Sequence, residues 1–91
     1  MTGKKGELAE TMQRRSIDIL CLQETRWKGS KARSIGSGYK LYYHGVTSGR
    51  NGVGIVLKEI WTESVMELEI VSDRAMRLRL EIGGVPLNIF V

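Results

Sequence analysis

The sequence predicts an α/β fold: a partial two-layer sandwich with one N-terminal helix and a mostly antiparallel sheet. Three observations predict it. An apolar run, Ile17-Asp18-Ile19-Leu20-Cys21-Leu22, is bounded by polar residues and delivers a carboxylate, Glu24, at its end. Ahead of it, Leu8 and Met12 stand four apart with Ala9 beside them, the narrow stripe of an amphipathic helix. Behind it, the chain after Leu57 alternates apolar and charged residues so regularly that a three-strand meander satisfies both faces at once.

Residues 4–15 read as the helix. Thr2 stands where a cap is needed, and Lys5, Glu7, Glu10, Gln13 and Arg14 are good helix formers. Lys4 and Lys5 lie at the wrong end for the helix dipole, and Gly3 and Gly6 blur the first turn. The run at 17–22 then reads as a strand covered on both faces, with Cys21 a packed core thiol. Glu24 sits where that strand leaves the core, and in open α/β sheets ligands gather beyond the carboxyl ends of strands. From position alone Glu24 is either a site residue, most sharply a metal ligand, or the first residue of a solvated loop.

The next segment carries Arg26, Lys28, Lys31 and Arg33 with Trp27 among them. Its Gly29, Ser30, Ser34, Gly36, Ser37 and Gly38 predict a loop. Four cations directly after a carboxylate can hold a phosphate backbone and steer it to the site, and Trp27 can stack on a base or sugar. The competing reading is a solvated loop whose Trp27 packs back on the core. Gly36-Ser37-Gly38 is no dinucleotide fingerprint, because Leu41 stands where the third glycine belongs, and no Walker A pattern is present.

Residues 39–45 read as a strand with Tyr39, Leu41 and Tyr43 on one face. His44, the sole histidine, falls on the other face as a surface residue rather than a catalyst. Residues 46–51 form a connection ending in the turn signal Asn51-Gly52. Residues 53–57 are a continuous apolar strand, and Gly52 and Gly54 leave room for a close backbone approach.

The meander's register follows from its pattern. A three-residue loop, Ser72-Asp73-Arg74, sets Ile70 opposite Met76, Leu68 opposite Leu78 and Met66 opposite Leu80. It also sets Glu69 opposite Arg77 and Glu67 opposite Arg79, pairs worth about 0.2–1 kcal/mol each. A slip of one residue would put arginines opposite the apolar set. Gly83-Gly84 then makes a two-residue hairpin that sets Leu80 opposite Leu87, Leu78 opposite Ile89 and Met76 opposite Val91. One apolar face therefore crosses three strands. A single short helix cannot cover it, so its covering layer is expected from outside the chain, and residues 1–91 read as a piece of a larger domain.

Ninety-one residues bound the chain to one small domain. With 42% hydrophobic and 26% charged residues, the composition is that of an ordinary globular protein. No apolar run approaches the roughly 18 residues of a membrane span, and the N-terminus lacks a signal peptide's apolar core. One cysteine excludes an internal disulfide and fits a reducing compartment, hence an expected intracellular location, nuclear or cytoplasmic. A formal charge of +4 tilts the expected partners toward anions such as nucleic acid. Oligomeric state is not legible.

The segment Asp18-Ile19-Leu20-Cys21-Leu22-Gln23-Glu24-Thr25 resembles one found in the endonuclease/exonuclease/phosphatase superfamily. Within it, the match is to the apurinic-endonuclease-like domain of LINE-type (non-LTR) retrotransposons. Gly38-Tyr39-Lys40-Leu41-Tyr42-Tyr43-His44-Gly45, Asn51-Gly52-Val53-Gly54-Ile55-Val56-Leu57 and Ser72-Asp73-Arg74-Ala75-Met76-Arg77-Leu78 agree with it as well. The resemblance implies a two-sheet sandwich flanked by helices and Mg²⁺-assisted phosphodiester hydrolysis, with Mn²⁺ an alternative ion. DNA is the implied partner, and no membrane is implied. By similarity Glu24 is the family's glutamate metal ligand and so its one catalytic group here. The family's asparagine ligand, its water-handling aspartate and asparagine and its late Ser-Asp-His motif have no counterpart. Ser72-Asp73-Arg74 carries arginine where that motif needs histidine. The resemblance therefore implies a DNA-nicking parent domain and a chain inactive by itself. Two other readings stand beside it: a superfamily enzyme acting on lipid or inositol phosphates, and a domesticated, non-catalytic nucleic-acid-binding or interaction protein.

Overall fold

Helix α1 (Thr2–Arg14) lies on one face of a four-stranded sheet, and a three-stranded sheet covers the other face. The computed structural model describes residues 2–46 and 49–91, with side chains from residue 6 onward. The first sheet is built from β1 (Ile19–Gln23), β2 (Gly29–Gly36), β3 (Tyr39–Gly45) and β4 (Val53–Lys58), in the order β1-β4-β3-β2. A 3₁₀ turn, Glu59–Ser64, leads to the second sheet of β5 (Val65–Ser72), β6 (Ala75–Ile82) and β7 (Val85–Phe90), in that order. Every neighbouring pair is antiparallel. Among the described residues no helix is long and apolar enough to cross a membrane. The helix cap expected of Thr2, and residues 47 and 48 of the expected 46–51 connection, lie outside what is described.

Strand β4 explains the layering. It is apolar on both faces, so it can be covered twice. Val56 joins Ala9, Met12, Tyr39, Leu41 and Tyr43 beneath the helix. Val53, Ile55 and Leu57 join Tyr42, Met76, Leu78 and Leu80 between the sheets. Met76, Leu78 and Leu80 are fully buried, each side chain contributing about 1.5–3 kcal/mol relative to exposure. The covering layer expected from outside the chain is thus partly inside it: the back of β3 and β4, together with Trp61 of the 3₁₀ turn, covers the middle strand β6. The flanking strands stay more open, with Leu68, Ile70, Val85 and Leu87 exposed on that same apolar face.

Strand β1 departs from the expected double cover. It forms the sheet's edge, paired only with β4. Leu20 and Leu22 lean on the helix-side core and Ile19 on the core between the sheets. Cys21 is exposed rather than packed, because the second sheet reaches over Ile19 and leaves Cys21 at its margin.

The basic segment expected as a loop is largely the strand β2, paired with β3 from Gly29↔Gly45 to Gly36↔Tyr39 with an irregularity between Ser34 and Gly36. Without it β3 would present an open row of N–H and C=O groups. Satisfying them outweighs the weak strand preference of Gly and Ser.

In the second sheet Ile70↔Met76, Leu68↔Leu78, Glu69↔Arg77 and Glu67↔Arg79 pair as the pattern predicts. Arg77 reaches Glu67 and Glu69 at 3.0 and 3.1 Å. Two details differ. Val65, not Met66, opposes Leu80, and Met66 is displaced by a register shift into solvent. Ser72 opposes Ala75, so the turn is the two residues Asp73-Arg74 rather than three. Bulges of this kind add strand twist, which lets a short sheet wrap its neighbour. The second hairpin holds throughout: Leu80↔Leu87 and Leu78↔Ile89 pair, and Met76 and Val91 exchange backbone hydrogen bonds at 3.1 and 3.0 Å.

Candidate functional site at the end of strand β1

Three chain segments meet where β1 ends. Strand β1 stops at Gln23 because Glu24 turns into the left-handed region, φ 52°, and Arg26 follows with φ 64°. Neither is glycine, and such backbone is uncommon for side-chain-bearing residues. It is held by the chain entering β4. The Thr25 amide donates to the Gly52 carbonyl at 3.2 Å and the Arg26 amide to the Asn51 carbonyl at 2.8 Å. The Gly49 amide donates to the Arg26 carbonyl at 3.0 Å. Gly52 has φ 96°, and a β-carbon there would lie 2.5 Å from Thr25 Oγ1. The close approach expected at Gly52 is therefore what brings the two segments together.

The third segment is the β5–β6 turn. The Asp73 carbonyl accepts from the Gly52 amide at 2.9 Å, and Asp73 Oδ2 accepts from Asn51 Nδ2 at 3.0 Å. Asp73 Oδ1 faces Arg74 Nε at 4.0 Å. Together the segments enclose an open hollow of about 230 Å³, lined by Gln23, Glu24, Asn51, Gly52, Val53 and Arg74. One carboxylate, one guanidinium and two side-chain amides on its rim suit a ligand that carries both a cation and an anionic group.

The donor set can be tested against the implied metal. Glu24 is the carboxylate on the rim, with amide groups from Gln23 and Asn51 beside it. That suits a hard cation held by one or two carboxylates that keeps most of its waters. It does not make a closed cage: among the described residues no group of three His, Cys, Asp or Glu gathers to hold a metal ion.

The other sequence-predicted residues do not line the hollow. Arg26 and Lys28 are exposed on the loop after it. Lys31 and Arg33 are exposed on β2, opposite Tyr43 and Leu41 and thus on the helix side of the sheet. None of these four cations lines the hollow. Trp27 is half-buried and packs edge-on against Tyr43, ring centroids 5.4 Å apart at 72°, within the helix-side core. Its packing reading is therefore present in the structure, with part of the residue still exposed. His44 lies on the opposite face from Leu41 and Tyr43, partly exposed, with Nδ1 hydrogen-bonded to Ser30 Oγ.

Sequence reasoning missed Asn51 and Arg74 as rim residues. Asn51 reads as turn chemistry, and Arg74 belongs to a tripeptide set aside for lacking histidine. No linear spacing joins positions 24, 51 and 74. The one local signal is Asn51-Gly52, whose left-handed backbone, φ 54° and 96°, marks a backbone shaped for contact.

The endonuclease/exonuclease/phosphatase family model matches residues 2–91. Craniofacial development protein 2 of Tragulus javanicus is 31% identical over 90 residues, which cover 98% of this chain and 15% of that protein. Craniofacial development protein 2 of Bos taurus is 30% identical over the same span, with the same coverage. The chain thus spans about 15% of the length of the curated relatives it matches. No solved structure matches it.

Proposed function

The chain belongs to the endonuclease/exonuclease/phosphatase family, and on that premise we propose that it carries the glutamate arm of a divalent-metal-dependent site that cleaves DNA phosphodiesters. The observation that carries this reading is Glu24, set in left-handed backbone at a strand end and placed on the rim of a hollow that also holds a guanidinium. A non-glycine residue in that conformation costs on the order of 1–3 kcal/mol, and such residues cluster at functional sites. Two backbone hydrogen bonds from the next residues, Thr25 and Arg26, offset the cost here.

Glu24 would hold the ion, Mg²⁺ or Mn²⁺, through its carboxylate oxygens. When bound, such an ion polarises a phosphoryl oxygen and stabilises charge on the leaving oxygen. Arg74 supplies a planar cation across the hollow, suited to orienting a phosphate by paired N–H groups. Asn51 keeps its amide nitrogen on Asp73, which fixes that side chain at the rim.

The finer reading is an apurinic-endonuclease-like domain of the LINE retrotransposon type, acting in the nucleus or cytoplasm. Its nick would give reverse transcription a primer end. In this reading residues 1–91 form part of a two-sheet sandwich and contribute Glu24 to its catalytic set. With one carboxylate at the hollow, the chain by itself is expected to be inactive.

Plasmid nicking in Mg²⁺ by a complete endonuclease domain of the family that carries residues 1–91 as its matching segment tests the reading. Glu24→Ala should lower nicking by at least about a hundredfold, the scale of losing a metal-held charge. Undiminished nicking would overturn it. Mg²⁺-dependent nicking by residues 1–91 alone would overturn the expected inactivity.

A second reading is favoured by one observation: Arg26, Lys28, Lys31 and Arg33 lie exposed outside the hollow. Placed there they suit binding to a nucleic-acid backbone without cleavage. DNA affinity that falls with salt and is lost on neutralising the four, in a protein whose nicking is absent, would select this reading. Affinity unchanged by the four substitutions would reject it.

A further inference from the structure

We propose that Asp73 is a positioning residue for the Glu24 hollow, clasping the Gly52 amide and the Asn51 side chain from the second sheet beside Arg74. The inference rests on the reading of that hollow as a phosphodiester site, and it names the residue that sets the site's geometry.

Asp73 uses three acceptor atoms on three partners. Its carbonyl accepts from the Gly52 amide at 2.9 Å, its Oδ2 from Asn51 Nδ2 at 3.0 Å, and its Oδ1 faces Arg74 Nε at 4.0 Å. The two residues it grips on the β4 side are those that hold the Glu24 loop: the Gly52 carbonyl receives the Thr25 amide and the Asn51 carbonyl the Arg26 amide. A displacement at Asp73 is therefore passed through one residue to each of the two peptide groups that follow Glu24. On its other side Asp73 Oδ1 lies 4.0 Å from Arg74 Nε, a charge attraction rather than a hydrogen bond, on a side chain that is 77% exposed. The Ser72 hydroxyl accepts from the Arg74 amide at 3.1 Å, which fixes the turn locally. That bond sets the backbone that carries Arg74.

The division of labour between the two carboxylate oxygens makes asparagine the telling substitution. An amide has one acceptor oxygen. If it serves Asn51, its NH₂ group faces the Arg74 guanidinium; if it serves Arg74, it faces the Asn51 amide. Charge and position then predict opposite signs. Removing a carboxylate from beside an anion site should tighten phosphate through charge alone. Loss of positioning should weaken it.

The experiment is an NMR titration of the full chain with inorganic phosphate, following Arg74 Nε–H, together with amide exchange in the ligand-free protein. Asp73→Asn should weaken phosphate by about fivefold, and Asp73→Ala, which removes the acceptor of Asn51 Nδ2 and keeps the main-chain carbonyl, should speed exchange at Gly52, Thr25 and Arg26 by about tenfold, the scale of one lost hydrogen-bonded restraint. Amides in the middle of β4 and β6 should keep their protection. Asp73→Glu, which retains two anionic oxygens, should return phosphate affinity to within about twofold of wild type. If Asp73→Asn does not fold, Asn51→Ala removes the Oδ2 partner alone and should still speed Gly52 exchange. Unchanged or tighter phosphate in Asp73→Asn, or unchanged Gly52 exchange in Asp73→Ala and Asn51→Ala, would overturn the proposal. A wild-type chain with no phosphate response at Arg74 would instead overturn the phosphodiester reading, and the positioning role with it.

Discussion

Gly45 lies so close to the Trp27 carbonyl that a β-carbon at position 45 would sit 1.8 Å from that oxygen. The obstacle is backbone, not a flexible side-chain tip, so it cannot swing away. Gly45→Ala should cost about 3 kcal/mol, at the upper end for overpacking, and lower the melting temperature by roughly 15 °C in a domain of this size. Gly54→Ala is the control: its added carbon meets Leu41 Cδ1 and the Tyr42 carbonyl at 3.4 Å, a contact small shifts can relieve. It should cost about 1 kcal/mol. Equal melting temperatures for the two variants would contradict the close approach at Gly45.

Tyr39 is almost fully buried, and its hydroxyl donates to the Ile17 carbonyl at 2.6 Å. That bond ties the strand beneath the helix to the chain entering β1. Tyr39→Phe keeps the ring and leaves a partly buried carbonyl without this donor, a loss of about 1–2 kcal/mol. Urea unfolding should show a lower midpoint with an unchanged slope. A wild-type midpoint would mean that water replaces the hydroxyl at no cost.

Neighbouring residues on β6 should differ sharply. Leu78 is fully buried between the sheets, and Leu78→Ala should cost about 2–5 kcal/mol. Arg79 points to the outer, solvated face opposite Glu67 and Asn88, and Arg79→Ala should stay within about 1 kcal/mol of wild type. Denaturation of the two variants checks the register directly. A one-residue slip would exchange their effects.

Burial by neighbouring chain pushes the Cys21 thiol above its ordinary pKa, although one side of the residue is open to solvent. The thiolate is the nucleophile, so iodoacetamide should alkylate Cys21 more slowly than a free thiol at pH 8. The linkage has a definite sign. The folded-state pKa is raised, so no stability is lost below the unfolded thiol's pKa, and stability falls as pH rises through the raised folded value. Cys21→Ala should therefore be less sensitive to alkaline pH than wild type in chemical denaturation. Faster alkylation than a free thiol would show an activated cysteine and reverse this account.

Much of the fold was legible in the residues. The stripe of Leu8, Ala9 and Met12, the strands at 39–45 and 53–57 and most of the hairpin pairings between 67 and 91 follow from periodicity and turn chemistry. Those are local signals, and a side-chain period of two leaves only one register that sets Leu68, Ile70, Met76 and Leu78 on one face. Strand β2 was not legible because Gly and Ser report a breaker locally, while the demand for a partner comes from β3's edge. The exposure of Cys21 was not legible either: an apolar run says that a segment is buried somewhere, but not that it lies at the margin of its sheet.

Taken alone, the residues determined that a carboxylate would end an apolar strand and that the chain belongs to the endonuclease/exonuclease/phosphatase family. Tertiary structure alone decided what stands around Glu24. Asn51 and Arg74 come to its hollow from turns far along the chain, through hydrogen bonds at Gly52 and Asp73, while Lys31 and Arg33 are carried away along β2 and Arg26 and Lys28 stay on the loop before it. The physical reason is that periodicity encodes which face a side chain takes within its own element. Which elements meet at their ends is set by how two sheets pack, and no residue encodes that by itself.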